Sequence, residues 1–186
     1  MDSLQHHFLI AMPNLKDPFF GGSVTYICEH NDEGAMGLVI NIPIDMPLYE
    51  LLAQLEMAPS EDGLPELERP VLQGGPVAAD RGFVLHSPMA GFSSSQMLAE
   101  DLMITTSPDV LETLGTDFAP EHYLVALGYA GWTPGQLEQE LSENSWLTVP
   151  ADTALLFDTP FAQRWHQALG RLGIDSCHLS SQVGHA

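Results

Sequence analysis

The sequence places a carboxylate beside an imidazole at one point, and general acid–base catalysis uses that combination. Glu29 and His30 adjoin a predicted turn, and His86 ends a predicted strand. Histidine titrates near neutral pH, so a nearby carboxylate could form a proton-transfer pair with it. In an extended strand, however, Glu29 and His30 point to opposite faces unless a bulge intervenes. Hydrogen-bonded structural groups at strand ends are therefore the favoured interpretation.

A glycine-rich turn offers a second kind of chemistry, the binding of an anion by backbone N–H groups. Its residues are Gly74, Gly75 and Pro76. Successive N–H groups in such a turn can surround an anion, although Pro76 lacks this donor and no nucleotide-binding glycine motif occurs. The favoured interpretation is a tight turn between two strands in which one glycine takes a positive φ.

A predicted helix that follows Trp132 supplies the third candidate site. Thr133 is predicted as its N-cap, Pro134 as its first residue and Gln136 as the second member of a capping box. A helix N-terminus attracts negative charge, so Trp132, Gln136 and Glu138 could line a ligand pocket there. Each of them also has a capping or packing duty, and that structural duty is the favoured interpretation.

The spacing of two leucines sets the predicted orientation of this helix. Leu137 and Leu141 lie one turn apart and form the predicted buried face. Glu138, Glu140 and Glu143 are then expected to face water. The chain is expected to return to the core directly after this helix.

Cysteines and histidines give only a weak indication of a metal site. Cys28 and His30, together with Cys177 and His178, could supply four ligands. Their spacing matches neither CxxC nor HxxxH, the common zinc-ligand patterns, and Cys28 lies in an apolar strand. The GxSxG motif of serine hydrolases is also absent. We therefore expect no metal and no cofactor, and the sequence favours a protein that is not an enzyme.

The charge of the chain is its strongest compositional feature. It carries 25 acidic and 5 basic residues, for a formal net charge of −20, and no Lys or Arg occurs from residue 82 to residue 163. Duplex DNA is bound by clustered Lys and Arg that neutralise phosphates, so direct DNA binding is disfavoured. The charge is expected to keep the protein soluble, with a docking surface for a basic partner as the alternative.

A chain of 186 residues is long enough for one domain with a substantial core. We predict a single domain over residues 1–179 and a frayed tail over residues 180–186. The N-terminus lacks the features of a signal peptide, and no apolar run reaches the roughly 20 residues of a membrane helix. Two cysteines without an export signal predict reduced thiols in the cytoplasm.

The elements that must position these residues follow from the hydrophobic pattern. Strands are predicted at residues 7–12, 23–29, 36–41, 71–73, 82–86, 102–106, 123–129 and 154–157. Helices are predicted at residues 47–57, 108–115 and 161–172 and from residue 134, with loops at 60–69 and 87–95. The last helix is expected to bury Phe161, Trp165, Leu169 and Leu172. A hairpin followed by alternating strands and helices predicts an α+β fold with a curved, largely antiparallel sheet.

Four blocks of the sequence resemble the YqgE/AlgH family of bacterial proteins. They are HHFLIAMP (6–13), EHN…GAMGLVIN (29–41), GGPV…DRGFVLH (74–86) and LGYAGW…GQLE (127–138), in the family's order and spread over nearly the whole chain. The resemblance implies an α+β fold whose strongly bent sheet approaches a half-barrel, and a protein without a known cofactor. One family member is described as a regulator of alginate biosynthesis genes, so the resemblance also implies a link to transcription.

One position departs from the family pattern. The family commonly reads Asn-Arg-Pro where this chain has Asn41, Ile42 and Pro43. If that arginine binds an anion in other members, the same function is not expected here. Asn41 itself is retained among the candidate site residues.

Two functions compete on the strength of these features. The leading prediction is a cytoplasmic regulator or adaptor that acts through protein contacts, one form of which is an acidic DNA mimic that occupies a basic nucleic-acid-binding protein. The alternative is a small-molecule-binding protein or enzyme whose pocket combines the Glu29 and His30 block, the Gly74 and Gly75 block, and the block from Trp132 to Glu138. That alternative requires the three blocks to meet in the fold.

Overall fold

The computed structural model describes residues 3–13, 15, 17–57 and 67–173, with ten strands in its sheet. The strands are β1 (His7–Ala11), β2 (Val24–Asn31), β3 (Gly34–Val39), β4 (Pro43–Pro47), β5 (Pro70–Gln73), β6 (Val77–His86), β7 (Ser95–Ala99), β8 (Leu102–Thr105), β9 (Tyr123–Trp132) and β10 (Trp146–Pro150). The described α-helices are α1 (Leu48–Gln54), α2 (Gln136–Ser142) and α3 (Arg164–Arg171). Short 3₁₀ helices span Pro108–Thr113 and Phe161–Gln163, and a π-helical turn spans Ala154–Asp158.

The strands follow the order β10-β1-β2-β3-β9-β6-β8-β7, and neighbours in this series are antiparallel. β4 pairs with β5, which joins β9 in parallel. The sheet curls into a half-barrel, and helices pack against it. The predicted α+β class and curved, largely antiparallel sheet are confirmed. In the described part of the chain, no helix has the length and apolar character that a membrane crossing requires.

Strand β9 connects the two halves of the sheet. Its first half pairs with β5 through Ala126, and its last residues pair with β3 through Trp132. β6 runs along its other edge. Gly128 lies between the two partners on the shared edge and has a φ of +79°, a value that favours glycine. This glycine lets one continuous strand change its partner.

The glycine turn before β6 lies against β9. A Cβ added to Gly75 would lie 2.0 Å from the backbone carbon of Tyr129, and one added to Gly74 would lie 2.4 Å from the carbonyl oxygen of Gly128. The prediction that one of these two glycines takes a positive φ is wrong, because the positive φ falls on Gly128. Glycine is required at positions 74 and 75 by close approach of two backbones.

The core is divided between the two faces of the sheet. One cluster draws buried side chains from strands near both ends of the sheet, among them Phe8, Tyr26, Phe83 and Leu102. Because β1, β2, β6 and β8 can meet in one cluster only inside the curl, this is the inner face. The outer face carries two separate clusters, one under α1 and one under α2.

Helix α3 and the π-helical turn cover part of the inner face. Arg164 is buried there and donates hydrogen bonds to the carbonyls of Ile40 and Thr159. Burial lowers the pKa of Arg164 to about 10, so its side chain stays charged at neutral pH. These bonds tie α3 to the end of β3. The apolar side chains buried in the same cover are Leu155, Leu156, Ala168 and Leu169.

The buried face predicted for the last helix is only partly correct. Leu169 is buried as expected, but Phe161 and Trp165 are half-buried and Leu172 is 38% exposed. Residues 161–163 form a 3₁₀ helix, whose tighter winding rotates the following α-helix. Arg164 and Ala168 therefore face the core instead.

Several elements differ from the predictions. The apolar run at 154–157 forms the π-helical turn rather than a strand, since it packs over the inner face instead of pairing. β7 begins where a loop was predicted. The chain returns to the core after α2 as expected, but it does so as β10, a strand that was not predicted. The segment after Ser107 is a 3₁₀ helix, and the Ser107 hydroxyl donates to the Asp109 carboxylate and accepts the backbone N–H of Ser94.

The other predicted elements are confirmed, with shifted ends. The first hairpin and α1 form as expected, and β6 and β9 extend beyond their predicted limits. Most of the predicted loop at 60–69 lies outside the described residues. The predicted tail at 180–186, Cys177 and His178 lie outside them as well.

Candidate functional site

His30 links the first hairpin to helix α2. It lies on β2 and is only 7% exposed. Its Nδ1 accepts a hydrogen bond from the backbone N–H of Leu4 at 2.9 Å. Nε2 must then carry the ring proton, which it donates to the Glu138 carboxylate on α2. Both ring nitrogens are occupied within the protein, so neither is free to exchange a proton with a ligand.

Glu138 is the partner of His30 and does not face water as predicted. Its side chain is 32% exposed and points toward β2. The hydrogen bond from His30 lowers the pKa of Glu138 below its ordinary value of 4.5. The carboxylate is therefore ionised at neutral pH and anchors α2 to the sheet.

Glu140 makes the second polar contact of α2, and the prediction that it faces water is also wrong. Its Oε1 accepts hydrogen bonds from the indole N–H groups of Trp132 at 3.2 Å and Trp146 at 3.0 Å. Its Oε2 accepts one from the side-chain amide of Gln136 at 3.1 Å. A buried indole N–H needs an acceptor, and one carboxylate serves both indoles here.

An aromatic cluster underlies these polar contacts. The ring of Phe20 lies 5.6 Å from Trp146 and 6.4 Å from Trp132, and the two indoles are 6.4 Å apart. Leu137 is buried in the same cluster. Phe20 packs against this cluster from the loop before β2. We name the set His30, Trp132, Glu138, Glu140 and Trp146 the α2 contact region.

The start of α2 differs from the predicted capping box. Regular helix begins at Gln136, and Gly135 before it has a φ of +80°. The Gln136 side chain does reach back to the backbone N–H of Thr133 at 3.0 Å, as a capping box requires. The Thr133 hydroxyl, however, donates to that same side chain instead of accepting from the helix. Only half of the motif forms.

Glu29 lies on the opposite side of β2 from His30. The register of β2 shifts between Ile27 and Glu29, but the shift does not bring the two side chains together. Glu29 is exposed, and its carboxylate accepts a hydrogen bond from Asn31 at 3.2 Å. It lines a cleft of about 210 Å³ with Glu33 and Trp132. Glu29 therefore cannot assist His30 in proton transfer.

Two of the three predicted blocks meet. The Glu29 and His30 block contacts the Trp132 to Glu138 block through the hydrogen bond from His30 to Glu138 and through the shared cleft. Gly74 lies beside β9 near Leu127, away from the cleft. Its backbone N–H donates to the Leu127 carbonyl at 2.8 Å. Gly75 packs against the same strand, Pro76 is exposed, and none of these three residues lines the cleft. The backbone of Gly74 and Gly75 thus packs on β9.

His86 belongs to a separate polar network and has no carboxylate partner there. Its Nδ1 donates to the Ser87 carbonyl at 2.7 Å, so its Nε2 accepts from the Thr105 hydroxyl at 2.6 Å. The Ser95 hydroxyl in turn donates to Thr105 at 2.6 Å. Burial lowers the pKa of His86 below 6.5, partly offset by its bond to Ser87. This network joins β6, β8 and β7.

Asn41 fixes the loop that enters β2. Its side-chain oxygen accepts the backbone N–H of Val24 at 2.8 Å, and its amide donates to the Gly22 carbonyl at 3.0 Å. Asn41 also borders a cavity of about 410 Å³ beside α3. Since its side-chain amide both accepts and donates a hydrogen bond within the protein, a structural role accounts for this residue.

The inner face carries a groove where α3 does not cover the sheet. It has a volume of about 320 Å³ and crosses the sheet from β2 to β7. We name it the inner-face groove, and its lining residues are Cys28, Glu29, Met36, Arg81, Phe83, Gln96, Leu98, Ile104, Thr106 and Tyr129. A volume and an apolar floor of this kind are typical of binding sites.

Two side chains define the chemistry of the inner-face groove. Burial raises the pKa of Cys28 to about 12, so its thiol stays protonated and is a poor nucleophile or metal ligand. Arg81 is exposed and lies over the ring of Phe83, 5.4 Å from its centroid. In the described ranges, no group of three or more His, Cys, Asp or Glu side chains is placed to hold a metal ion.

Sequence reasoning missed Glu140, Arg81, Gln96 and Tyr129. A signal existed for Glu140, because two tryptophans flanking α2 need acceptors and position 140 lies one turn after Gln136. No comparable signal marked Arg81 or Gln96. They become neighbours only through pairing of strands that are distant in sequence.

Comparison with known proteins gives consistent matches along the chain. The model of the AlgH-like family matches residues 8–177. A protein of Serratia proteamaculans is 58% identical over 186 residues, covering 99% of this chain and 100% of that protein. A protein of Yersinia enterocolitica is 59% identical with the same coverage of both chains. Both relatives carry the name "UPF0301 protein".

Two solved structures share the fold. The solution structure of the AlgH protein from Pseudomonas aeruginosa is 49% identical, with a TM-score of 0.79 over 99% of this chain and 96% of that one. A crystal structure of a Corynebacterium diphtheriae protein has a TM-score of 0.71 at 19% identity, covering 92% of this chain and 88% of that one. At that identity the second likeness shows the fold alone.

Proposed function

The chain belongs to the AlgH-like family, and from that premise we propose that it is a cytoplasmic adaptor that acts by binding a basic protein. Any effect on transcription is then indirect, through the partner. An acidic mimic of DNA that occupies a nucleic-acid-binding protein is one form of this function.

The observation that carries the proposal is the distribution of unpaired acid over the surface. Five basic residues cannot neutralise 25 carboxylates. Glu33, Glu50, Asp80, Glu100 and Asp117 are all exposed, and they lie on separate strands, helices and loops. A strongly negative net charge attracts basic partners and speeds their association.

The chemistry of the α2 contact region argues against catalysis at that position. His30 uses both ring nitrogens, and Glu140 uses both carboxylate oxygens on neighbouring side chains. A general base must reach a substrate proton within hydrogen-bond distance. These residues are already committed to one another.

Native mass spectrometry of tagged protein, isolated gently from its own cells, tests the proposal. We expect a discrete partner rich in Lys and Arg that dissociates as salt rises from about 0.1 M to about 1 M, because the Debye length falls from roughly 10 to 3 Å. Recovery of duplex DNA with a steep salt dependence would contradict the proposal. A partner that survives high salt unchanged would contradict its electrostatic basis.

A second candidate function is the binding of a small cationic ligand. The cleft of about 210 Å³ between the first hairpin and Trp132 places Glu29 and Glu33 on one opening. The same mass spectrum separates the two functions, since a small added mass would favour the cleft. Glu33→Gln should then abolish that added mass, with Glu143→Gln, directly after α2, as the matched control.

A further inference from the structure

The described sheet has three exposed edges, and they differ in their protection. β4 carries Pro43 and Pro47, and β10 ends at Pro150. Proline removes a backbone donor and prevents another strand from pairing. β7 has no proline, and both Gln96 and Met97 are exposed. Of these edges, β7 is the one whose backbone is open to a further strand.

The hydrogen-bond pattern of β7 shows which groups point outward. The backbone N–H of Thr106 donates to the Ser94 carbonyl at 3.0 Å, and Met97 lies opposite Met103. In an antiparallel ladder the bonded pairs alternate, so the N–H and carbonyl of Met97 point away from β8. The Ser95–Thr105 hydroxyl bond holds this edge in place.

The outward edge of β7 continues into the inner-face groove. Gln96 and Leu98 both line the groove, together with Phe83 and Tyr129. A strand added beside β7 would place every second side chain on this face, since side chains alternate along a strand. Apolar side chains at those positions would extend the floor of the groove.

Charges around β7 define where a basic side chain fits. Arg81 and Glu29 both line the groove, and their opposite charges offset each other, so the groove itself does not select a cation. Glu100 and Asp101 are exposed in the turn that follows β7. A bound segment is therefore accommodated best with apolar side chains in the groove and Lys or Arg side chains near this turn.

We propose that β7 binds an extended segment of a basic partner by strand addition, with its apolar side chains in the inner-face groove. Main-chain hydrogen bonds supply affinity in this mode of recognition, and the groove supplies selectivity. The inference rests on the proposed function, because it identifies the surface that a basic partner uses.

The probe is a short, end-blocked peptide of alternating Lys and Leu, with binding measured by fluorescence anisotropy. Met97→Pro removes the outward donor of β7 without touching its bonds to β8, and we expect it to raise Kd about tenfold. Met97→Ala keeps the donor and should change Kd by less than about twofold. Thermal unfolding confirms that both variants fold.

A second measurement keeps the test valid if Met97→Pro does not fold. The same peptide, N-methylated at alternate residues, retains its charge but loses the donors that pair with an edge. It should bind the unmodified protein about tenfold more weakly. A Glu-Leu peptide of equal length should not bind.

Each remaining outcome overturns a different statement. If the Lys-Leu peptide binds but Met97→Pro and N-methylation change nothing, strand addition is wrong and the adaptor function stands. If neither this peptide nor poly-lysine binds, both proposals are wrong. If sedimentation shows a dimer that Met97→Pro converts to a monomer, a second copy of the chain occupies β7 and the inference fails.

Discussion

The α2 contact region and the inner-face groove lie on opposite faces of the same sheet and use their polar groups differently. In the α2 contact region, His30, Glu138 and Glu140 are all bonded to other residues of the protein. In the groove, Arg81 and Gln96 are exposed and make no side-chain hydrogen bond to other described residues. The first region holds the fold together, and the second is open to a partner.

This difference shows that reactive residue types do not by themselves mark a site. Histidine, glutamate and tryptophan are concentrated where α2 joins the sheet, and their bonds are satisfied internally. The groove also contains Cys28 and Glu29, but most of its lining is Met, Phe, Leu, Ile, Tyr and Gln side chains, which attract little attention in a sequence. Availability of polar groups, rather than their identity, separates the two regions.

The largest expected change in stability comes from disrupting β9, the strand that both regions share. Gly75→Ala places a Cβ within 2.0 Å of the β9 backbone at Tyr129, so we expect loss of about 4 kcal/mol or more, or no folded protein. Gly170→Ala on α3 meets no atom within 4 Å and should stabilise the protein by about 0.5–1 kcal/mol. Thermal unfolding measures both. An unchanged melting temperature for Gly75→Ala would show that β9 does not pack as described.

The next effect tests whether the α2 contact region is structural. Glu140→Ala leaves the indoles of Trp132 and Trp146 without their shared acceptor, and we expect a loss of about 2–3 kcal/mol. Glu143→Ala, at the exposed residue directly after α2, should cost no more than about 0.5 kcal/mol. Urea unfolding supplies both values. Lower peptide affinity in a stably folded Glu140→Ala protein would contradict the comparison.

Acidification should act on the His86 network and on the α2 contact region in different pH windows. Burial lowers the pKa of His86 below 6.5, so the unfolded chain binds that proton more readily and stability falls as pH drops through 6.5. The hydrogen bond from His30 lowers the pKa of Glu138, so its contribution is present above pH 4.5 and is lost at lower pH. Urea midpoints across pH measure both.

Two substitutions test which residue causes the loss of stability in each pH window. His86→Gln should flatten the dependence near pH 6.5, and Glu138→Gln should flatten it below 4.5. If His86→Gln leaves the slope near pH 6.5 intact, another group titrates there and the assignment is wrong.

The smallest expected effect sharpens the description of the groove. Arg81→Ala removes a contact with the ring of Phe83 that is worth about 0.5–1 kcal/mol at an exposed site. The same change removes a repulsive charge, so the Lys-Leu peptide should bind slightly more tightly at low salt. Arg171→Ala, which breaks the surface pair with Asp152, is the control and should not alter peptide binding. Weaker binding by Arg81→Ala would place an acidic group of the ligand in the groove.

The parts of the fold that local patterns determine were predictable. The first hairpin combines alternating strands with turn residues, and α1 repeats leucine at helical spacing. β7 was not predictable, because Ser93, Ser94 and Gln96 obscure its alternation. The run at 154–157 is short and apolar, and such a run fits a helical turn as well as a strand.

The candidate site was less predictable because its contacts are distant in sequence. His30 and Glu138 are separated by 108 positions, and only the pairing of β3 with β9 brings them together. The requirement for glycine at positions 74 and 75 was visible, but its cause was not. Glycine is required both where two backbones approach closely and where φ is positive, so the residue type alone does not distinguish the two causes.

Strand β9 has a consequence for the order in which a ribosome can complete this fold. Its partners β3, β5 and β6 all precede it in the chain, so the centre of the sheet cannot close until residue 132 has left the ribosome. β1 waits longer still, for β10 at residues 146–150. Until then the nascent chain exposes unpaired strand edges that invite aggregation. Strong mutual repulsion between acidic chains keeps such intermediates apart. The surplus of carboxylates therefore opposes aggregation while the chain is still being synthesised and folded.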